Sequence, residues 1–459
     1  MDIEVGAALL PNILISIVFL AIGVVSYVVF FKKPDESHLN KTDVNQKVNN
    51  HSENGENMSK SKVQLGKKKV SKEPSKKNNA NSIGKEINHL HPYLITSLKG
   101  HTSSVLGLDF SSNGKYLLSC SEDRTVRLWS VKDFFAKDHK YTRVNVEFDH
   151  ASSVSMSPDS RAFIVSLAVE QTIRVFKIHK KKENGNSVMN VTHEYDFPKI
   201  HKTEIINAAI SSNGKFIMSA GKDTQIIIWS LKGDVYEKID TRLVYNTNAD
   251  ILPCGNLIAA CGFTSDVKLW QIVFDKTGSF SQVSKALELK GHSAGVLSFS
   301  FSNDSKRAAT VSKDGTWKIW DIDVNYLKGQ DAYLLNTGQF KHVEHPAFIA
   351  LSHDYYTVSI ATYMSIYMFN AKSGNMEEEI ESAHKGHITA LRWHADSRQL
   401  VSAGGTDRVI KVWHNPVGAH AFLSDLKEKL PKTKSDVVKE RIQKQIEETE
   451  FYIATLKTT

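Results

Sequence analysis

The chain has 459 residues, of which 41% are hydrophobic, and it carries a formal net charge of +8. That length and apolar fraction allow a large packed domain with additional segments. Its three cysteines, Cys120, Cys254 and Cys261, show neither CxxC spacing nor a disulfide framework. This excludes a disulfide-stapled scaffold and suits a domain that faces the cytosol with reduced thiols.

Residues 1-33 are predicted to form a transmembrane signal anchor. The main body, Ile13 to Phe31, is almost wholly apolar and about long enough to span a bilayer. The alternative is a cleaved signal peptide, but Asp2 and Glu4 before the span are acidic, and the run is longer than a typical h-region. Lysines directly after the span place everything downstream in the cytosol. Four sequons should then carry no sugar, at Asn40, Asn57, Asn190 and Asn303.

Residues 34-90 are rich in Lys, Asn and Ser and too poor in apolar residues to fold, so they are predicted to be a disordered tether. Candidate contacts of its basic cluster are anionic lipid headgroups or RNA phosphate. A nuclear-localisation signal is a further interpretation that conflicts with the anchor, and a solvated spacer is the alternative to all of these. No aromatic residue is interleaved there to stack on bases. The candidate lipid or RNA contacts are Lys67, Lys68, Lys69, Lys76 and Lys77.

Residues 91-415 repeat one pattern. The stretch from Gly100 to Trp129 opens with Gly-His, alternates apolar residues and contains Asn-Gly and Glu-Asp turn signals, which are typical of short antiparallel strands. A single sheet of this kind cannot bury its faces, so several copies must pack together. Four strong and three weaker copies follow one another with the spacing of propeller blades. They end at Trp129, Phe176, Trp229, Trp270, Trp320, Phe369 and Trp413.

These repeats resemble the WD40 family, although only Trp320-Asp321 keeps the literal dipeptide. The resemblance implies an all-β fold, a seven-bladed WD40 β-propeller. It also implies that a strand over Tyr93 to Leu98 completes the last blade by pairing beside Val409 to Trp413, which protects sheet edges.

The resemblance further implies a hydrogen-bonded tetrad in each of the four strong blades. In each tetrad Asp accepts from His, and a Ser or Thr hydroxyl lies between His and the Trp indole N–H, so that every buried polar atom has a partner. These histidines are therefore predicted to be structural rather than catalytic. The tetrads are His101, Ser119, Asp123 and Trp129; His201, Ser219, Asp223 and Trp229; His292, Thr310, Asp314 and Trp320; and His384, Ser402, Asp407 and Trp413.

The second, fourth and sixth blades depart from this pattern. Glu170, Phe263 and Tyr363 lie at their turns, where the strong blades have Asp. The segment His179 to Asn186 of the second blade is predicted to be a solvated hairpin loop.

The residues beside the turn Asp should lie at one rim of the propeller, because the opening His meets that Asp. They are predicted to form a basic rim that docks an acidic or phosphorylated partner. The alternative is that they are ordinary solvated turn residues. They are Arg124, Lys222, Lys313 and Arg408.

Residues 416-459 are predicted to form C-terminal amphipathic helices, over Phe422 to Leu430 and Ser435 to Leu456, broken at Pro431. Apolar residues in the second helix recur at three- and four-residue steps. This stripe either packs on the propeller flank, which is favoured because the stripe is short, or pairs with another chain.

No phosphate-cradling Gly-rich loop, HExxH motif or nucleophile elbow is present in the sequence. The chain is therefore predicted not to be an enzyme and to use no cofactor, metal or small-molecule substrate. It is interpreted as a binding module on a membrane anchor.

A closer resemblance to one member of the family is carried by FSSNGKYLLSCSEDRTVRLWSVKDF and GFTSDVKLW. It implies a single-pass endoplasmic reticulum membrane protein, with a cytosolic propeller that is a scaffold in the unfolded protein response and in stress-coupled translation. The implied partners are the stress-activated kinase of translation initiation and the ribosome. Two alternatives stay open. One is an exchange factor for a small GTPase in vesicle budding, although Ser111 to Lys115 is an ordinary turn without the projecting loop this requires. The other is an RNA-binding protein acting through the tether.

Overall fold

The computed structural model describes residues 91–183, 186–341 and 345–456, with the side chains of 181–188 excepted. These residues form 28 β-strands in seven four-stranded antiparallel sheets, followed by two α-helices. The predicted anchor (1-33) and the predicted tether (34-90) lie outside the described residues. Within the described ranges, no helix combines the length and the apolar composition needed to cross a membrane.

Each sheet is one blade, and its strands follow one another from the central channel outward. Blade 1 contains β2 Val105–Phe110, β3 Tyr116–Ser121, β4 Thr125–Ser130 and β5 Tyr141–Asn145. Blade 2 contains β6 Ala151–Met156, β7 Ala162–Leu167, β8 Ile173–Glu183 and β9 Asn186–Asp196. Blade 3 contains β10 Ile205–Ile210, β11 Ile217–Gly221, β12 Gln225–Trp229 and β13 Val235–Asp240. Blade 4 contains β14 Asn246–Ile251, β15 Leu257–Gly262, β16 Asp266–Phe274 and β17 Phe280–Lys290.

The remaining blades follow the same order. Blade 5 contains β18 Val296–Phe301, β19 Arg307–Ser312, β20 Thr316–Asp321 and β21 Tyr333–Gln339. Blade 6 contains β22 Ala347–Leu351, β23 Thr357–Thr362, β24 Ser365–Asn370 and β25 Met376–Ile380. Blade 7 contains β26 Ile388–Trp393, β27 Gln399–Gly404, β28 Ile410–His414 and, as its outermost strand, β1 Leu94–Leu98.

The ring is closed by pairing the two ends of the propeller sequence. Strand β1 runs antiparallel to β28, with Leu94 opposite Trp413 and Leu98 opposite Ile410. The N–H of His414 also donates to the carbonyl of Tyr93 at 2.9 Å. The predicted closing strand is confirmed, and the ladder removes an edge that would otherwise stay unpaired in blade 7.

The hydrophobic core lies between blades. Leu118 and Leu128 of blade 1, for example, pack with Phe163 and Phe176 of blade 2 in one buried cluster. Because both faces of each sheet are covered, the middle strands are nearly continuous in burial; every residue of β27 is buried. Burial of a large apolar side chain contributes about 1.5–3 kcal/mol, and no single blade provides that burial by itself.

The prediction of a loop from His179 to Asn186 is wrong. Strand β8 extends to Glu183 and strand β9 begins at Asn186, with Ile178 opposite Val191 and Glu183 opposite Asn186. The loop was predicted because the lysines of this segment favour solvent. A two-stranded ladder, however, is held by backbone hydrogen bonds and can extend without apolar side chains.

After blade 7 the chain forms two helices, which we number α1 (Pro416–Lys432) and α2 (Asp436–Leu456). Asn415 begins α1 by accepting the N–H of Gly418 at 2.9 Å, six residues earlier than the predicted start. Ile442 and Ile446 of α2 are buried against α1, and Tyr452 bonds His414 at 3.1 Å. These two residues of the predicted stripe therefore pack on α1 rather than on the propeller flank, and Tyr452 contacts the last strand of blade 7 at His414.

Candidate protein-interaction surface

One end of the propeller is formed by two kinds of connection. The turns between the second and third strands of each blade lie beside the loops that lead into the innermost strands. Backbone bonds join them, as between the N–H of Glu122 and the carbonyl of Ser104 (3.0 Å), and between Lys222 and Glu204 (2.8 Å). We call this end the rim; it consists of the turns at 121–125, 167–172, 221–225, 262–266, 312–316, 362–365 and 404–409 with their adjoining loops.

Three of the predicted tetrads are complete at the rim. In blade 1, His101 Nδ1 bonds Asp123 Oδ2 at 2.9 Å, its Nε2 bonds Ser119 Oγ at 2.8 Å, and Trp129 Nε1 donates to that Oγ at 2.9 Å. The corresponding bonds in blades 5 and 7 span 2.7 to 3.0 Å. Burial opposes ionisation of Asp123, but bonds from His101 and Thr125 hold its pKa well below its usual range. The members in blades 5 and 7 are His292, Thr310, Asp314 and Trp320, and His384, Ser402, Asp407 and Trp413.

The tetrad of blade 3 lacks one bond. His201 Nε2 bonds Ser219 Oγ at 2.6 Å and Trp229 Nε1 donates to the same oxygen at 2.7 Å. The predicted bond to Asp223 is absent, and His201 Nδ1 is buried without a hydrogen-bond partner. Burial accordingly lowers the pKa of His201 to about 4, although the charge of Asp223 acts in the opposite direction.

The residue after the turn Asp explains this difference. In blades 1, 5 and 7 that residue is left-handed, with φ of 60° at Arg124, 78° at Gly315 and 60° at Arg408. Blade 3 has Thr224 there, and this residue stays outside the left-handed region. A β-branched side chain makes that conformation costly, so the turn takes another shape and Asp223 does not reach His201.

Blades 2, 4 and 6 replace the polar tetrad by apolar residues. In blade 1 the tetrad Ser119 lies two residues after Leu117, which is opposite Trp129. The same register in blades 2, 4 and 6 places apolar, fully buried side chains at the position of that serine. No histidine then needs a hydroxyl partner, which keeps the core free of unpaired polar atoms at this position. The three residues are Val165, Ala260 and Ile360.

Asp149 stabilises the rim turn of blade 2 from the neighbouring loop. Its buried carboxylate accepts the N–H groups of Val169 (3.0 Å), Glu170 (2.9 Å) and His150 (2.6 Å). Asp149 lies two residues before β6, as Ser103 lies two residues before β2 in blade 1. Asp149 therefore supplies the turn with an acceptor from the neighbouring loop.

The four predicted rim residues, Arg124, Lys222, Lys313 and Arg408, are all exposed, each on a different blade. Lys222 pairs with Glu204 at 3.5 Å, and both side chains are exposed, so this pair contributes little. No bond joins the four to one another among the described residues. They form a ring of separate positive charges around the rim.

Exposed apolar side chains alternate with these charges. The turns of blades 2, 4 and 6 present Val169 (65% exposed), Phe263 (57%) and Tyr363 (38%) at the rim. Around the ring, turns that expose a basic residue alternate with turns that expose an apolar one, and Glu122 and Glu170 are exposed in the turns of blades 1 and 2. Sequence reasoning named Phe263 and Tyr363 only as departures from the turn Asp; their shared position with Val169 was the signal that could have revealed the pattern.

The central channel is crossed by one ion pair. Arg392 of blade 7 reaches Asp250 of blade 4, with Nη2 and Oδ2 3.7 Å apart. These blades are not neighbours, so the side chain extends across the channel, beside a cavity of about 360 Å³. Burial raises the pKa of Asp109, which lines the same cavity, to about 7.

The lysines predicted to contact lipid or RNA lie outside the described residues, so their interactions stay predictions. They are Lys67, Lys68, Lys69, Lys76 and Lys77.

A seven-bladed propeller with His–Ser/Thr–Asp–Trp tetrads is the architecture of WD40-repeat proteins, and the chain belongs to this family. The family model for the "WD domain, G-beta repeat" matches residues 92–130, 195–230, 283–321 and 378–414, which contain the four tetrads. The chain is therefore a WD40 scaffold for protein interactions.

Two relatives are similar over most of their length. The chain is 47% identical to transducin beta-like protein 2 of Mus musculus over 367 residues, 80% of this chain and 82% of that protein. It is 46% identical to transducin beta-like protein 2 of Homo sapiens over 371 residues, with the same shares. A more distant relative, apoptotic protease-activating factor 1 of Homo sapiens, is 23% identical over 71% of this chain and 27% of its own length. The resemblance found in the sequence is confirmed.

Proposed function

We propose that the chain is a single-pass endoplasmic reticulum membrane protein whose cytosolic propeller is a scaffold in the unfolded protein response and in stress-coupled translational control. The apolar segment Ile13 to Phe31, followed by lysines, supports the anchor and its orientation. The closer sequence resemblance implies the organelle and the partners, which are the stress-activated kinase of translation initiation and the ribosome.

The observation that carries the scaffold proposal is the ring of exposed charges at the rim. Arg124, Lys222, Lys313 and Arg408 are held at fixed positions by turns that the tetrads and backbone bonds order. Positive groups spread over four blades attract an acidic or phosphorylated partner and fix its orientation. The two arginines can each hold a carboxylate or phosphate with two parallel hydrogen bonds.

The test combines rim substitution with proximity labelling from the propeller in cells, with and without folding stress. The variant carries Arg124→Ser, Lys222→Ser, Lys313→Ser and Arg408→Ser. We expect enrichment of the initiation kinase and of ribosomal proteins under stress, and a loss of about tenfold in the variant. A matched control removes four exposed lysines at the opposite end of the propeller, by Lys115→Ser, Lys215→Ser, Lys232→Ser and Lys306→Ser.

Unchanged labelling in the rim variant would contradict docking at the rim. Enrichment of a coat GTPase in place of the kinase would favour the exchange-factor alternative. RNA crosslinks that map to Lys60 to Lys77 would favour the RNA-binding alternative.

The membrane orientation has a separate test. Asn190 and Asn303 are exposed, so both sequons would be accessible to the glycosylation machinery if the propeller were in the lumen. We expect no change in mobility after endoglycosidase treatment of the full chain. The control is the same propeller behind a cleavable signal peptide, which should be glycosylated. Sugar at Asn303 in the full chain, or a mature protein that begins after Phe31, would contradict the proposed orientation.

A further inference from the structure

We infer that the rim binds a partner segment in which hydrophobic side chains are interspersed with carboxylates, and that exposed apolar residues of blades 2 and 4 are its anchors. This inference rests on the proposed function, since it specifies the partner of the same rim. Its evidence comes from two apolar pairs on either side of blade 3 and from the basic residues that lie beside them.

The first pair lies at blade 2. Phe148 is 91% exposed and Val169 is 65% exposed. The carboxylate of Asp149, the neighbour of Phe148, accepts the N–H of Val169 at 3.0 Å, which keeps the two side chains at one place on the rim. Phe148 also has a φ of 65°. A bulky residue in the left-handed region is strained, and such strain is concentrated at sites of function.

The second pair, at blade 4, repeats these features. Val244 is 67% exposed with a φ of 69°, and Phe263 is 57% exposed. The N–H of Phe263 donates to the carbonyl of Leu243 at 3.2 Å, so the turn and the loop are joined. The ring of Tyr245 contacts that of Phe263 at 5.7 Å between centroids and supports it. A β-branched residue in a left-handed conformation is again costly.

A positive charge lies between the two pairs. Lys222 occupies the turn of blade 3, and its carbonyl accepts the N–H of Asn246, the first residue of β14 in blade 4, at 3.2 Å. Arg124 precedes the first pair, since its carbonyl accepts the N–H of Val146 at 2.8 Å. Along this part of the rim Arg124, the first pair, Lys222 and the second pair therefore follow one another, and exposed glutamates lie beside them at positions 122, 147, 170 and 204.

This order determines the chemistry of the occupant. A wholly apolar segment would cover Arg124 without supplying a counter-charge and would desolvate Lys222 together with its partner Glu204, at a cost in free energy. A wholly acidic segment would leave Phe148 and Phe263 in water and gain nothing from them. A segment with both kinds of side chain buries the aromatic anchors, which are enriched among residues that dominate binding, and neutralises the charges beside them.

The described chain leaves this surface free. Strand β1 begins beside the end of β28, and α1 starts at Asn415, whose side chain donates to the carbonyl of Ser397 in a turn at the opposite end of the propeller. Both helices and the first described residues therefore attach at the end away from the rim.

The test uses the full chain with the photocrosslinking residue p-benzoylphenylalanine at position 169 or 263 in cells, followed by sequencing of the crosslinked peptides. The crosslinked segments are then synthesised, and their affinity for the purified full chain in detergent is measured by fluorescence anisotropy. The apolar variant carries Phe148→Ser, Val169→Ser and Phe263→Ser. The matched control removes exposed apolar residues at the opposite end, by Phe135→Ser, Leu231→Ser and Tyr355→Ser.

We expect crosslinked segments that contain both Asp or Glu and large apolar residues, with at least tenfold weaker binding to the apolar variant and unchanged binding to the control. No crosslinks, crosslinked segments that are basic or lack apolar residues, or equal binding to the apolar variant would overturn the inference. The two proposals fail differently. If the four-fold basic variant loses partners and the apolar variant keeps them, only the inference is wrong; if the basic variant keeps all partners, the rim proposal itself is wrong.

Discussion

The odd-numbered and even-numbered blades reach the same architecture with different interiors. Blades 1, 3, 5 and 7 contain a buried His, a hydroxyl and an indole that bond one another. Blades 2, 4 and 6 have apolar residues at the hydroxyl position, such as Val165 and Ile360, both fully buried. The four segments that the family model matches contain the tetrads of the odd-numbered blades.

The comparison teaches that the tetrad is one solution to a packing problem and is not required for a blade. A buried polar group costs free energy when it lacks a partner, whereas replacing all partners by apolar groups is nearly neutral. Each blade either pairs the buried polar groups of a tetrad with one another or has an apolar residue in place of the hydroxyl. Blade 3 is the intermediate case, since His201 keeps its hydroxyl partner and lacks its carboxylate.

The largest expected effect comes from removing the central hydroxyl of a tetrad. Ser402→Ala would leave His384 Nε2 and Trp413 Nε1 of blade 7 buried without partners, because both bond that one oxygen. We expect the free energy of unfolding to fall by about 3 kcal/mol, measured by urea denaturation.

The matched control is in blade 6. The hydroxyl of Ser359 is fully buried and has no hydrogen-bond partner. Ser359→Ala should therefore leave the free energy of unfolding unchanged or slightly raised. If the two alanine variants lost equal stability, the distinction between odd and even blades would be wrong.

An intermediate effect is expected from acid. The pKa of His201 is about 4 in the folded chain and near 6.5 when the chain is unfolded. Between these values the unfolded chain binds the proton and the folded chain does not, so stability falls as the pH falls from 6.5 to 4. The loss should be on the order of 2 kcal/mol.

The measurement is the melting temperature as a function of pH for the native chain and for His201→Gln. The variant should show a smaller decrease between pH 6.5 and pH 4, whatever its stability at pH 7. The even-numbered blades contain no tetrad histidine, so this comparison tests a residue of an odd-numbered blade. An equally steep decrease in the variant would mean that His201 does not control how the melting temperature depends on acid.

The smallest expected effect completes the tetrad of blade 3. Thr224→Asn places a residue that tolerates the left-handed region after Asp223, and we expect Asp223 to bond His201 as Asp123 bonds His101. Stability should rise by about 1 kcal/mol and the pKa of His201 should rise, which NMR titration of the imidazole measures. An unchanged pKa would show that the turn does not set the position of Asp223. The reverse change, Arg124→Thr in blade 1, should cost a similar amount.

Much of the fold was available in the sequence because periodic patterns determine it. The alternation within Gly100 to Trp129 and its repetition predicted the blades, and the strand after Tyr93 predicted the closure that β1 and β28 make. The tetrads of blades 1, 5 and 7 form as the resemblance to the WD40 family implied.

The features that the sequence did not reveal depend on backbone conformation and on the fold rather than on a repeated pattern. The shape of the blade 3 turn depends on whether Thr224 adopts a left-handed φ, which no periodicity encodes. The apolar half of the rim was missed because Phe148 and Val244 look like core residues in a sequence, and only the fold shows that loops hold them in water. The opposite error concerns Lys180, because its charge predicted a loop where strand β8 continues.

The closing ladder between β1 and β28 has a mechanical consequence for any force applied to the chain before it. The chain enters the propeller at Leu94, the first residue of the outermost strand of blade 7. A pull along that strand would load its hydrogen bonds together in shear, rather than breaking them one after another. The seam that completes the ring would then also bear the load.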